Sequence, residues 1–249
     1  MYSLRDKYAI SGIGWTEYSK KIGPDRAQPR IGSLPESRRG RGFKSLRHRG
    51  FVSFNFNDSV PAISVATEIG VPAARYANDF LSGGNAANMI VLTAAAVIEA
   101  GLAETVLCYR AMNGRSGFRL GGGRDPSAYG ITQFTAPFGW ITYPQAMAMW
   151  CRRHMIEYGT TSEQLGEIAV TFRSNAVANP RAMQREPISK DDYMSSRMIV
   201  EPFLDICLET DGACAVLVTS AERARSQAKA SLHFRRRLWR WPGSRRGSI

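Results

Sequence analysis

The sequence predicts an α/β protein: a mixed sheet flanked by helices, with one buried central helix. Three observations predict it. Short runs of strand character alternate with helical patterns through most of the chain. Residues 75–109 read as strand, glycine turn, helix and strand, a βαβ unit. The helix within that unit, 84–100, runs from Ala86 and Ile90 to Leu92, Val97 and Ile98 with almost no polar side, and a helix apolar all round must be covered on every side.

The elements follow in order. Residues 8–13 form a short apolar run ended by Gly12 and Gly14, and 51–56 alternate aromatic and polar residues, so both read as strands. Helical spacing over 59–69 stops at Gly70. A weak strand, 75–80, leads into Ser82-Gly83-Gly84-Asn85, the central helix closes at Gly101, and 105–109 (TVLCY) is the returning strand. Residues 110–137 are then glycine-rich, a long connection of the functional kind. Helices resume at 143–158, closed by Gly159, and after Thr161, whose Thr-Ser-Glu-Gln spacing is a capping box, as far as Ala178. Ser189 with Asp191 and Asp192 opens a short helix. Asp211-Gly212 introduces an apolar strand over 213–219, and Ser220 caps a last helix.

Charge divides the chain differently. Of the formal +12, residues 24–49 carry +6 and 222–249 carry +8, which leaves the remainder at −2. Basicity therefore belongs to two segments, not to the folded body. Neither segment has an apolar period, and their abrupt joins and Arg, Gly, Pro and Ser content fit out-of-frame reading of GC-rich DNA. Arginines around Trp239 and Trp241 also suit a nucleic-acid-binding arm, but no accompanying motif supports one, and nucleic acid is not the expected partner. The expected division is 1–23 with 50–225 as the folded body, 24–49 as an irregular arginine-rich insert and 226–249 as an irregular basic tail.

At 44% hydrophobic the 249-residue chain can bury a proper core. No run approaches the roughly 18 uncharged apolar residues of a membrane span, and the first residues lack a signal-peptide pattern. The expectation is a cytoplasmic protein without a membrane partner. Cys108, Cys151, Cys207 and Cys214 stand singly, with no C-x-x-C and no histidine at ligand spacing, so buried reduced thiols are expected and no metal site.

Four stretches in order, LSGGNAANMIVLTAAAVIEAGLAETVLCYRAMNGRSG, HMIEYGTTSEQLGEIAV, ANPRA and LETDGACAVLVTSAERAR, carry a resemblance to the thiolase superfamily. The chain resembles its N-terminal half and loop region, nearest to the sterol-carrier-type thiolases and the bacterial lipid-transfer-protein group. The resemblance implies a thiolase-like layered fold whose C-terminal half is missing. In thiolases the turn before the buried helix carries a cysteine that takes the acyl group as a thioester. Matching Ser82-Gly83-Gly84 to that turn puts Leu81 in the nucleophile's place, and an aliphatic side chain forms no acyl-enzyme. Some lipid-transfer-type relatives also lack the cysteine and act as retro-aldolases on coenzyme A thioesters of steroid side chains, paired with a small OB-fold protein. That reaction needs a general base and stabilisation of an enolate, not a nucleophile.

The resemblance leaves the catalytic residues unknown. Gly83 and Gly84, through their backbone N–H groups, and Asn113 and Arg115, in the loop after TVLCY, are the candidate substrate-binding residues, with Arg110 beside them. Tyr129 and Tyr143 are acid/base groups in principle only. His154, the one histidine of the body, falls within a helix, where packing or solvation is its ordinary role. No bound cofactor is expected; a coenzyme A thioester is the expected substrate. A homodimer and an OB-fold protein are the expected assemblies. Three function classes follow: an enzyme of lipid or steroid acyl-CoA metabolism, of acyltransferase or retro-aldolase type; an inactive relative that binds acyl-CoA or dimerises; and, on the basic segments alone, a nucleic-acid binder.

Overall fold

The computed structural model describes residues 4–19, 49–55, 59–71, 73–115, 130–197, 208–226 and 232–233. The arginine-rich insert up to His48, Tyr129, Cys207 and all of the basic tail after Ser226 except Leu232 and His233 lie outside them. The chain divides into two compact units, Met1–Thr16 with Arg30–Ala111 and Ala213–Ile249, and Glu17–Pro29 with Met112–Gly212.

The first unit is built on a mixed sheet. Its strands are β1 (Tyr8–Trp15), β2 (Arg49–Asn55), β3 (Tyr76–Leu81), β4 (Thr105–Asn113), β5 (Asp211–Ser220) and the two-residue β6 (Leu232–His233), in the spatial order β3-β2-β4-β5-β1-β6. Strands β3 and β4 flank β2 in parallel, with Phe54 opposite Phe80 and Val52 opposite Cys108. Helices α1 (Ala62–Glu68) and α2 (Ala86–Glu99) make the parallel connections. Strand β1 pairs antiparallel with β5, Tyr8 opposite Ser220 and Trp15 opposite Cys214, with an irregularity between Ile10 and Gly12, and with β6 on its other side.

Strand β2 is buried along its whole length. The strand expected over 51–56 forms as β2, and it is central, covered on both faces, which is why it is almost wholly apolar or aromatic between Gly50 and Phe54. Its backbone runs so close to β4 that a Cβ at Gly50 would stand 3.0 Å from Val106 Cγ2. Strand alternation sorts the side chains onto two faces. Val52, Phe54, Val106, Cys108, Val218 and Tyr8 pack on α2, whereas Phe51, Tyr109 and Ala111 pack on α1.

Helix α2 starts two residues later than 84–100 implies, and its cover is one-sided. Ala86, Ile90, Ala94, Ala95 and Val97 are buried against the sheet, but Met89 and Leu92 are 44% and 60% exposed. The expectation of cover on every side is thus not met by this chain. The small alanines fit against the sheet, and the bulkier residues of the opposite face stand open beside Tyr76, Thr93 and Leu102. After β5, Ser220 caps α6 (Ala221–Ser226) by accepting from the Arg223 N–H.

The second unit holds α3 (Tyr143–Tyr158), α4 (Ser162–Ala178) and α5 (Lys190–Met194), preceded by short 3-10 turns at Gly130–Phe134 and Ala136–Phe138. All three α-helices begin with capping boxes, at Thr142–Gln145, Thr161–Gln164 and Ser189–Asp192. Gly159 ends α3 at φ +70°, a left-handed position that suits glycine. Fully buried Tyr193 lies on Gly166, the buried residue of α4. A Cβ at Gly166 would sit 2.8 Å from Tyr193 Cδ1, so the ring needs glycine beneath it.

That contact gives a stability test in which two effects oppose. In an open helix Gly166→Ala would stabilise by about 1 kcal/mol, whereas overpacking against an enclosed ring costs about 1–3 kcal/mol. Since Tyr193 has no room to yield, Gly166→Ala is expected to lower the thermal midpoint in calorimetry. A raised midpoint would show that the α4–α5 contact is loose.

Candidate functional site

The turn singled out by the sequence forms at the carboxyl ends of the parallel strands. Strand β3 ends at Leu81, Ser82 N–H donates to the Asn55 carbonyl at 3.3 Å, and α2 begins at Ala86 with Asn85 as its cap residue. Ser82 Oγ donates to Asn85 Oδ1 at 3.3 Å, which ties the two ends of the turn. Ala86 and Ala87 N–H groups donate back to Gly83 and Gly84 carbonyls. Among the described residues, the N–H groups of Gly83, Gly84 and Asn85 donate to no protein group. They stand at the positive end of a 14-residue helix.

Leu81, in the nucleophile's matched place, is 72% exposed. A Cβ at Gly84 would meet nothing within 4 Å. Packing therefore does not demand glycine there, and the space before the α2 amides is open.

Next to this turn lies a polar cluster that the sequence reading missed. Ser53, Asp79 and Tyr109 stand side by side across β2, β3 and β4. Ser53 Oγ donates to the Asp79 carboxylate, and both carboxylate oxygens accept from the Ala62 N–H, at 3.1 and 2.9 Å. Pro61, the cap residue of α1, has no side-chain acceptor; Asp79 supplies the cap from a different strand. Tyr109 Oη donates to the Val60 carbonyl at 2.8 Å. Burial, with the Asp79 charge adding to it, pushes the Tyr109 phenol well above its ordinary range despite the opposing hydrogen bond with Ser53. An aspartate inside an otherwise strand-like YANDFL was the available signal, because strands are poor in Asp unless it has a partner.

Strand β4 carries the next candidates. It extends to Asn113, four residues past the TVLCY run, so Arg110 and Asn113 are strand residues and not loop residues; the pairing with β2 ends at Tyr109, and β5 is the neighbour on the other side. The Arg110 guanidinium lies 5.2 Å over the Phe54 ring and donates to the Ala111 carbonyl at 2.8 Å. Arg115 is exposed in the turn after β4, and its N–H donates at 2.7 Å to Asp211 Oδ1. Gly83 and Gly84 belong to the first unit, Asn113 and Arg115 to the second.

The remaining candidates separate. His154 is exposed on α3, its Nε2 3.0 Å from Thr160 Oγ and its ring 4.8 Å from that of Tyr158. Tyr143, the first residue of α3, is 66% exposed. Cys108 is buried and its Sγ donates to the Ile90 carbonyl at 3.3 Å; burial lifts its pKa to about 12. Such a thiol stays neutral and unreactive at ordinary pH. Cys151 is half-buried, and Cys214, expected to be buried, is exposed. Among the described residues no group of three His, Cys, Asp or Glu side chains can hold a metal ion, and no helix is long and apolar enough to cross a membrane.

No protein-family model matches the chain. It is 40% identical over 229 residues to the steroid side-chain-cleaving aldolase of Thermomonospora curvata, covering 87% of this chain and 58% of that protein. It is 35% identical over 231 residues to the 17-hydroxy-3-oxo-4-pregnene-20-carboxyl-CoA lyase of Mycobacterium tuberculosis, covering 89% and 60%. Among solved structures, the Ltp2-ChsH2(DUF35) aldolase matches with a TM-score of 0.76 at 38% identity, over 90% of this chain and 58% of that one. A monomeric SCP2-thiolase like protein of Mycobacterium smegmatis shares the fold, with a TM-score of 0.63 at 18% identity over 88% and 47%. The chain thus spans about three fifths of the length of the curated relatives it matches.

Two measurements test the electrostatics of this region. Asp79→Ala removes the cap of α1 and leaves Ser53 buried without its acceptor, a loss of about 1–3 kcal/mol; Asp79→Asn, which keeps an acceptor, is expected to lose less in urea unfolding. The second is alkaline stability. The Cys108 pKa rises on folding from 9.0 to about 12, so its contribution is complete below pH 9, where both states hold the proton. Above that the unfolded thiol ionises first, and stability falls with rising pH until about 12. Cys108→Ala is expected to flatten this alkaline slope in part, the remainder belonging to Tyr109, whose pKa moves the same way.

Proposed function

Since this chain belongs to the thiolase superfamily, in its sterol-carrier-type group, we propose that it serves retro-aldol cleavage of a coenzyme A thioester in steroid or lipid side-chain breakdown. Its similarity to a steroid side-chain-cleaving aldolase and to a CoA lyase supports the substrate class. The observation that carries the reaction type is Leu81, an exposed aliphatic residue at the end of β3 where the matched turn would need a sulfur nucleophile. It rules out an acyl-enzyme at that position and leaves the amides behind it available.

In the proposed step a general base takes the proton from a β-hydroxyl, the Cα–Cβ bond breaks, and a carbonyl forms on the departing fragment. The electron pair moves onto the thioester carbonyl oxygen as an enolate, which is then protonated at Cα. The N–H groups of Gly83 and Gly84, backed by the α2 dipole, are the proposed donors to that oxygen. Independently of that turn, Arg115 of the second unit is proposed to meet a coenzyme A phosphate, and Asn113 stays a proposed substrate contact. No residue of the chain is assigned as the base.

Partners belong to the same reading. Relatedness to the Ltp2-ChsH2(DUF35) aldolase supports assembly with a second protein. A homodimer is supported by β3, which stands at the edge of the sheet, and by the open apolar face of α2. Acyl-CoA binding without turnover is the alternative, supported by the same Leu81.

Mass spectrometry after incubation with an acyl-CoA tests the carrying observation. No acyl adduct is expected on the chain, before or after addition of free coenzyme A. An adduct on any cysteine that turns over with coenzyme A would establish covalent thiolase chemistry and overturn the proposal. With a β-hydroxyacyl-CoA of a steroid side chain, release of a ketone in the presence of a DUF35-type partner supports cleavage; binding without release supports the alternative.

A further inference from the structure

Asp211 opens β5 and is fully buried. A carboxylate taken out of water is costly unless strong donors surround it. One of its donors is unusual in position: the backbone N–H of Arg115, 96 residues earlier, at 2.7 Å, in the range of a charge-assisted bond. The Asp211 backbone is itself anchored, since its N–H donates to the Ser19 carbonyl at 2.9 Å and its carbonyl accepts from Ser19 N–H at 3.0 Å. Thus the acceptor is held at its own main chain before it grips Arg115.

The gripped segment is one that would otherwise be free to vary. Strand β4 ends at Asn113, and Gly114 follows, a residue with no intrinsic conformational preference. A Cβ there would meet only ordinary contacts, 3.4 Å from Met112 Cε, so packing at Gly114 does not by itself fix the turn. Arg115 then presents an exposed side chain on a main chain fixed by Asp211. Among the described residues its guanidinium makes no salt bridge.

We infer that Asp211 is a positioning residue: its carboxylate fixes the main chain of the Asn113–Gly114–Arg115 turn, so that the exposed Arg115 side chain is offered to an anionic ligand from a settled backbone. The role of that ligand as a coenzyme A phosphate rests on the function proposed above. The positioning itself does not. A buried negative charge fixing the backbone beneath an exposed positive one lowers the ordering cost of binding, because only the side chain remains to be immobilised.

The test uses the full chain with Asp211→Ala, Asp211→Asn, Arg115→Gln and the double variant Asp211→Ala with Arg115→Gln. Amide exchange at residue 115 is read by NMR, and affinity for free coenzyme A by calorimetry. Loss of a bond to a charged acceptor is expected to speed exchange at the Arg115 N–H by about tenfold or more in Asp211→Ala. Asp211→Asn, which keeps an acceptor oxygen, is expected to stay within about threefold of the parent. Coenzyme A affinity is expected to fall about tenfold in Asp211→Ala and in Arg115→Gln, but no further in the double variant, because the aspartate acts through the arginine.

Unchanged exchange at Arg115 in Asp211→Ala would overturn the positioning role, as would additive losses in the double variant. If the parent chain binds no coenzyme A, the proposed ligand falls while the exchange measurement still decides whether Asp211 holds the turn. Should Asp211→Ala not fold, Asp211→Ser replaces it, since its shorter neutral hydroxyl cannot reproduce the grip; faster exchange supports the role and unchanged exchange refutes it.

Discussion

The architecture of the first unit depends on a strand that has no solvent side. Strand β2 is enclosed between β3 and β4 and covered by α1 on one face and α2 on the other, so every feature nearby is measured from it. It fixes the register that brings Ser53, Asp79 and Tyr109 into one row, and it places Phe54 under the Arg110 guanidinium. Because side chains alternate strictly, slipping this register by one residue would turn Val52 and Phe54 away from α2 and Phe51 away from α1. Apolar burial sets the position of the strand, and the polar groups then hold it. Gly50 belongs to the same constraint, since the close approach to Val106 excludes any larger residue without a shift of β4.

Local chemistry made much of the fold legible. The capping boxes at Thr161 and Ser189, the left-handed glycines after α1, α2 and α3, and the apolar run of β5 all signal within a few residues of themselves. What the sequence hid is set at a distance. The start of α1 depends on a carboxylate from β3, 17 residues later, so Ser59 offered itself as a start and Ala62 is the first helical residue. The length of β4 depends on neighbours in the sheet and not on its own hydrophobicity, which fades at Arg110. The openness of one α2 face follows from where the sheet lies and what the rest of the fold leaves uncovered, a property that no periodicity contains.

The candidate site shows the same division. The glycine turn, the helix behind it and the aliphatic residue in front are contiguous, and the resemblance to sterol-carrier-type thiolases could be read residue by residue onto them. Asp79 and Asp211 could not be found that way, since each matters through a backbone N–H far along the chain. Arg115 was legible as a cation, whereas the carboxylate that holds its main chain was not. The two aspartates do similar physical work: each sits in a strand and spends its charge on an amide of a different segment, fixing loops that flank the carboxyl ends of the parallel strands.

The pairing of β1 with β5 has a consequence for how the chain is made. Ser11 Oγ reaches the Leu217 carbonyl across 206 residues of sequence, and Thr16 bonds Ala213 over 197. The parallel part of the sheet, β2 to β4 with its two helices, is complete once Asn113 has been made. Strand β1, made before β2 to β4, must wait for β5 before it has that partner. Through that interval Tyr8 and Val218's future neighbours on the α2 face stay uncovered, so the nascent chain carries a half-finished core until β5 is made. Speed of elongation between Asn113 and Asp211 therefore bears on yield in a way that no contact in the finished molecule would reveal.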